Sequence, residues 1–116
     1  MRRLLLASLL SLAVIGSHAQ TAPAAATPPG ATDIADAGLA ELRALIVAGE
    51  FETAYQRAQA LEAEHSGQPD FDYLLGLAAL QSGRPAEATL AFERALAVAP
   101  DFLGARLDMA RARFAL

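Results

Sequence analysis

Cysteine, tryptophan and lysine are all absent from this chain of 116 residues, and histidine occurs only twice. Without cysteine there is no disulfide, no thiolate metal site, no cysteine nucleophile and no lipid attached at a cysteine. His18 and His65 stand too far apart to build a histidine-rich metal cluster. Aromatic residues make up 6% of the chain, and β-branched residues are scarce as well, which disfavours sheet. The basic residues are nine Arg against thirteen acids, a net charge of −4, and an acidic chain argues against a nucleic-acid partner. The length allows one domain at most.

What the chain has in abundance is alanine and leucine, 29 and 19 residues. Small, strongly helix-forming side chains favour helices that approach one another closely. The expected class is therefore all-α.

The first nineteen residues read as an export signal. Arg2 and Arg3 make a short basic start, Leu4 to Ile15 carry no charge, and Ser17-His18-Ala19 supplies a small-x-small cleavage site. The apolar run is too short to span a bilayer, which takes ~20 residues. The mature chain would begin at Gln20, where seven Arg against thirteen acids leave a net charge of −6. Residues 20–32 hold Pro23, Pro28 and Pro29 and no apolar side chain larger than Ala or Pro, so they read as a disordered tether. The domain is expected over residues 33–116.

Within it, apolar residues recur at helical spacing. Leu39, Leu42 and Leu45/Ile46 run up to Gly49; Ala54/Tyr55, Ala58 and Leu61 run up to Ser66-Gly67. Asp70 is placed to cap a third helix with Phe71, Leu74/Leu75, Ala78 and Ala79, ending at Gly83. Pro85 suits the first turn of a fourth helix, which carries Ala88, Phe92, Ala95 and Leu96 and is closed by Pro100. Asp101 is placed to cap a fifth helix, whose Leu103, Leu107, Ala110 and Phe114 form a stripe expected to pack on the fourth near Phe92 and Leu96. Short connections make sequential helices antiparallel neighbours.

Gly49-x4-Ala54 and Gly83-x4-Ala88 stand 34 residues apart. Asp72-x2-Leu75-Gly76-x2-Ala79, Gly83, Ala88-x3-Phe92-x2-Ala95 and Pro100 match the offsets of the tetratricopeptide pattern. The chain therefore resembles that family over about two and a half repeats. Asp72 stands at the family's Trp place and Ala79 at its Tyr place. Gly76 and Ala88 are expected where the hairpin is tightest. The resemblance implies a non-catalytic module that binds a protein or peptide segment on a concave face formed by the first helix of each hairpin. Carried over residue by residue, that face holds Arg43, Tyr73, Leu77, Leu80, Gln81 and Arg111, with Asp70, Leu39, Ile46, Leu107 and Phe114 alongside. It is an apolar groove suited to an amphipathic or extended peptide. The family's basic, Asn-rich carboxylate clamp does not carry over, because Tyr73 and Leu77 occupy such places.

The exported start, the tether, the repeats and the stretch from Pro100 to Leu116 also resemble the N-terminal periplasmic region of the surface lipoprotein assembly modifier family. There, such repeats precede an outer-membrane β-barrel. That likeness implies a periplasmic module that receives a client protein, here as the N-terminal part of a longer polypeptide. The apolar Phe114-Ala115-Leu116 leaves two readings, a fifth helix that is itself the cap of the array or one that further chain covers; without that cover it is expected to support self-association.

No catalytic constellation emerges. Glu62, Glu64 and His65 point in different directions on one helix and read as a solvated helix end. Asp70 and Asp72 read as helix-start acids. No Gly-rich loop with Lys exists, and the Ser and Thr residues lack an orienting triad. No enzyme activity, metal, cofactor or membrane span is expected.

Overall fold

A computed structural model describes the chain from residue 31 onward, with side chains from residue 37. The segment read as an export signal, residues 1–19, and nearly all of the stretch read as a tether lie outside the described residues. Five helices follow in order: α1 (Ala31–Val47), α2 (Phe51–His65), α3 (Pro69–Gln81), α4 (Pro85–Val98) and α5 (Leu103–Phe114). The helical domain thus opens at Ala31, inside the stretch read as tether. Among the described residues there is no strand, and no helix is long and apolar enough to cross a membrane.

Each helix packs on its sequence neighbour, α1 also touches α3, and α3 also touches α5. Connections of three or four residues turn each helix back against the last. The result is two layers, α1, α3 and α5 in one and α2 and α4 in the other, with α3 at the centre.

Two of the turns close with the same pair of backbone hydrogen bonds. At the end of α1, Glu50 N–H donates to Leu45 C=O (2.9 Å) and Gly49 N–H to Ile46 C=O (3.0 Å). At the end of α3, Arg84 N–H donates to Ala79 C=O (2.8 Å) and Gly83 N–H to Leu80 C=O (3.2 Å). These are paired Schellman closures, and they need a left-handed residue that glycine supplies without strain. Gly49 and Gly83 have φ of 78° and 81°.

The turn between α2 and α3 is built differently. Gly67 N–H donates to the Asp72 carboxylate at 2.9 Å. Neither Asp70 nor Asp101 caps a helix. Gln68 and Phe102 hold the N-cap positions of α3 and α5 without side-chain caps, and Pro69 opens α3. Proline there removes an N–H that the first turn leaves without a helical partner, which reduces the need for an acidic cap. Pro85 opens α4 in the same way.

Nine of the sixteen buried apolar residues are alanine, which lets helix axes approach. Phe71 and Phe92 are the largest fully buried side chains. The closest approach is between α3 and α4. A Cβ built on Gly76 would lie 2.6 Å from Cδ1 and 2.8 Å from Cζ of Phe92. Leu75, Ala79, Ala88 and Ala95 are buried around that crossing, while Pro100 sits exposed in the following turn.

Two further expectations are corrected. His65 is not part of a solvated end: it is 2% exposed, stacks against Phe71 at 5.5 Å and leaves Nε2 without a partner. The stripe on α5 forms, but it points outward. Leu103, Leu107 and Phe114 are 74%, 55% and 95% exposed, and Ala105, Asp108 and Ala112 are buried instead. Two small alanines let α5 sit close to its neighbours, and the buried carboxylate is accommodated because it is hydrogen-bonded.

Gly76→Ala tests the close crossing. Helix propensity alone favours Ala by about 1 kcal/mol, but the new methyl meets the fully buried ring of Phe92 below 3.0 Å. Overpacking costs about 1–3 kcal/mol. Urea unfolding should show a net loss of stability, reduced when Phe92→Leu is added. A stabilised Gly76→Ala protein would contradict this packing.

Candidate functional site

The face carried over from the tetratricopeptide resemblance falls on α1, α3 and α5, which share one layer. Arg43, Gln81 and Arg111 are exposed, and Tyr73, Leu77 and Leu80 are half-buried, resting on the core. Leu39 is buried, Ile46 is half-buried, and Leu107 and Phe114 are exposed. On this face α3 stands between two flanking helices.

Each flank carries an ion pair. On the α1 side, Arg43 approaches Asp70 at 3.6 Å, with both side chains largely in solvent. Such a pair contributes about 0–1 kcal/mol and leaves both groups available to a partner. On the α5 side, Tyr73 Oη–H donates to Asp108 Oδ2 at 2.8 Å. Arg111 Nη1 donates to the other oxygen, Oδ1, also at 2.8 Å. Asp108 is 6% exposed, so both hydrogen bonds matter to its burial. The Tyr73 ring lies 4.6 Å from Phe102 and 5.9 Å from Phe92. Gly104 lies under the phenol: a Cβ there would be 3.0 Å from Tyr73 Oη.

Tyr73 and Arg111 are therefore brought together through one carboxylate, whereas Arg43 is held apart from them across α3. Leu77 and Leu80 give an apolar floor between the two ion pairs, and Gln81 ends it. Among the described residues no three His, Asp or Glu side chains could together hold a metal ion.

The helices of the other layer are laced by side chains spaced 32 residues apart. Arg84 makes two hydrogen bonds to Glu52, at 2.8 and 3.1 Å, and lies 4.2 Å over the Tyr55 ring. This holds the Glu52 carboxyl below its ordinary range. Tyr55 Oη–H donates to Glu87, and Arg94 reaches Glu62 at 3.1 Å. The inward side of Arg94 meets Asp72, at 3.2 Å from Nε and 3.1 Å from Nη2.

Sequence reasoning missed Asp72, Arg94 and Asp108 as partners. One signal was available for Asp108. Thirty-four residues before Ala105, Asp108 and Ala112 stand Phe71, Leu74 and Ala78, all buried. A carboxylate in that register demands a donor, and Tyr73 lies nearby on the preceding helix of the layer.

Both tyrosines are shifted the same way. Burial, then the carboxylate accepting each phenol proton, pushes Tyr55 and Tyr73 up to about 12. An unfolded tyrosine ionises near ~10. A raised folded value means that stability from the neutral phenols is fully present below about 10 and lost as pH rises through about 12. Tyrosinate absorbance should thus stay low until the chain unfolds at high pH. Asp108→Asn should bring one of the two titrations down and leave the other. Two tyrosines ionising near 10 in the folded chain would contradict both hydrogen bonds.

Protein-family models, curated proteins and solved structures give no match to this chain, so its function is read from these side chains.

Proposed function

We propose that the chain is a non-catalytic, exported interaction module of the tetratricopeptide type. It acts in the periplasm and binds an extended or amphipathic peptide segment of a protein partner across the face of α1, α3 and α5. The observation that carries this reading is the makeup of that face. Three helices of one layer present half-buried Tyr73, Leu77 and Leu80 together with exposed Arg43, Gln81 and Arg111. An apolar floor between ion pairs can bury side chains of a partner strand or helix, while the pairs orient it. The recurrence of Gly49 and Gly83 as identical helix closures, 34 residues apart, supports the repeat assignment.

The exposed Leu103, Leu107 and Phe114 favour a second use of the same layer. These side chains form an exposed apolar stripe along α5, and in this reading a client segment extends over it. The same surface would serve a module that precedes an outer-membrane assembly barrel. It would equally serve self-association of the module through α5.

Photo-crosslinking in the exported protein tests the assignment. A photoreactive residue at Leu77 or Gln81 should give adducts to a defined segment of a partner, and one at Ala97, exposed on α4, should not. In binding to that segment, Leu77→Asp should cost at least ~30-fold in affinity, the scale of an interface hot spot. Adducts from Ala97 alone, or affinity indifferent to Leu77→Asp, would overturn the proposal.

A further inference from the structure

The side of α3 turned away from Tyr73 and Leu77 forms the floor of a recess between α2 and α4. It encloses about 160 Å³. Leu75 and Ala79 form its floor and the 60% exposed Leu90 its lip, with Tyr55, Gln59, Glu62, Glu87 and Arg94 around the rim. The volume is the size of a single ring: a cavity of about 150 Å³ accommodates benzene. An apolar floor, a side chain left bare at the mouth and a polar rim are the parts of a small ligand site.

The rim is unbalanced in a way that defines the ligand. Tyr55 spends its proton on Glu87 Oε2, and Gln59 spends an amide N–H on Tyr55 Oη at 3.0 Å. Arg94 spends Nη2 on Glu62 Oε1 and Nε on Asp72. Among the described residues, no donor is engaged by the second oxygen of Glu62, the second oxygen of Glu87 or the carbonyl of Gln59. The rim itself carries two carboxylates, Glu62 and Glu87, against the one guanidinium of Arg94, while Arg84 lies over the Tyr55 ring and is held by Glu52. Arg94 is shared between Glu62 and the buried Asp72, so the rim keeps a net negative charge.

We infer that this recess binds a flat cation with several N–H donors, a guanidinium or amidinium, whose apolar body lies on Leu75, Ala79 and Leu90. Two sources carry that chemistry, an arginine side chain of a partner protein and a free aryl amidine or related small molecule. The site is separate from the face of α1, α3 and α5, and occupying it leaves that face open.

The test is an amide chemical-shift titration of the folded chain with three probes: benzamidine, its neutral isostere benzamide, and N-acetyl-arginine amide. Benzamidine should shift the amides around Gln59, Ala79 and Leu90 saturably, and benzamide should bind at least tenfold more weakly. Glu87→Gln keeps an acceptor for Tyr55 and should weaken benzamidine about tenfold, one charge contact's share. Leu90→Arg, on the exposed lip, should abolish binding by placing a cation at the mouth. Saturation by the arginine probe at comparable concentration assigns the site to a partner's arginine, and saturation by benzamidine alone assigns it to a free aryl cation. Equal binding of benzamide, shifts scattered away from the recess, or no saturation below ~10 mM for either cation would overturn the inference.

Discussion

The carboxylate of Asp72 is fully buried, and three parts of the chain meet on it. One oxygen takes the N–H of Gly67 and so closes the turn between α2 and α3. The other takes Arg94 from α4, and Arg94 in turn reaches Glu62 on α2. A buried charge is costly unless every lone pair is answered. Here one answer comes from the α2–α3 turn and the other from α4, so the ion on α3 is satisfied only when that turn and α4 are both in place. That makes Asp72 a specifying contact as well as a stabilising one. It fixes the roll of α3, and with it which residues of α3 face each layer.

Both proposed binding surfaces depend on that roll. Tyr73, Leu77 and Leu80 look out between α1 and α5 because Leu75, Gly76 and Ala79 are turned toward α4. Gly76 lets Phe92 come against the backbone of α3, and Ala79 leaves the space above it open. One helix thus supplies a broad apolar floor on one side and a ring-sized, acid-rimmed recess on the other. Each side is held by a phenol donating to a carboxylate on another helix, Tyr73 to Asp108 and Tyr55 to Glu87.

Local chemistry was legible in the residues. Gly49, Gly83 and Pro85 mark helix ends because turn geometry and proline's missing N–H act over a few residues. Gly76 was legible through its spacing from Ala88 and Phe92. Partnerships across distance were not. Asp72 looks like a helix-start acid, and only Arg94, 22 residues later, turns it into a buried ion. His65 looks solvated until Phe71 is laid over it. Leu103, Leu107 and Phe114 do share one face of α5, as their spacing requires. Which face packs, however, is decided by Ala105 and Ala112, whose small size permits closer contact than leucine would. Among the face residues, Tyr73 and Arg111 were identified singly; that they meet through Asp108 depends on the packing of α5 beside α3.

Residue-resolved hydrogen exchange at Gly67 probes the Asp72 junction most directly. In the unaltered chain, the Gly67 amide should exchange only with the global opening that exposes the centres of α3 and α4. In an Asp72→Asn chain it should lose most of that protection, while the Gly83 amide, which donates to the Leu80 backbone carbonyl, keeps its own relative to the new global stability. A Gly67 amide that exchanges as freely as an exposed turn in the unaltered chain, or one indifferent to Asp72→Asn, would contradict the account.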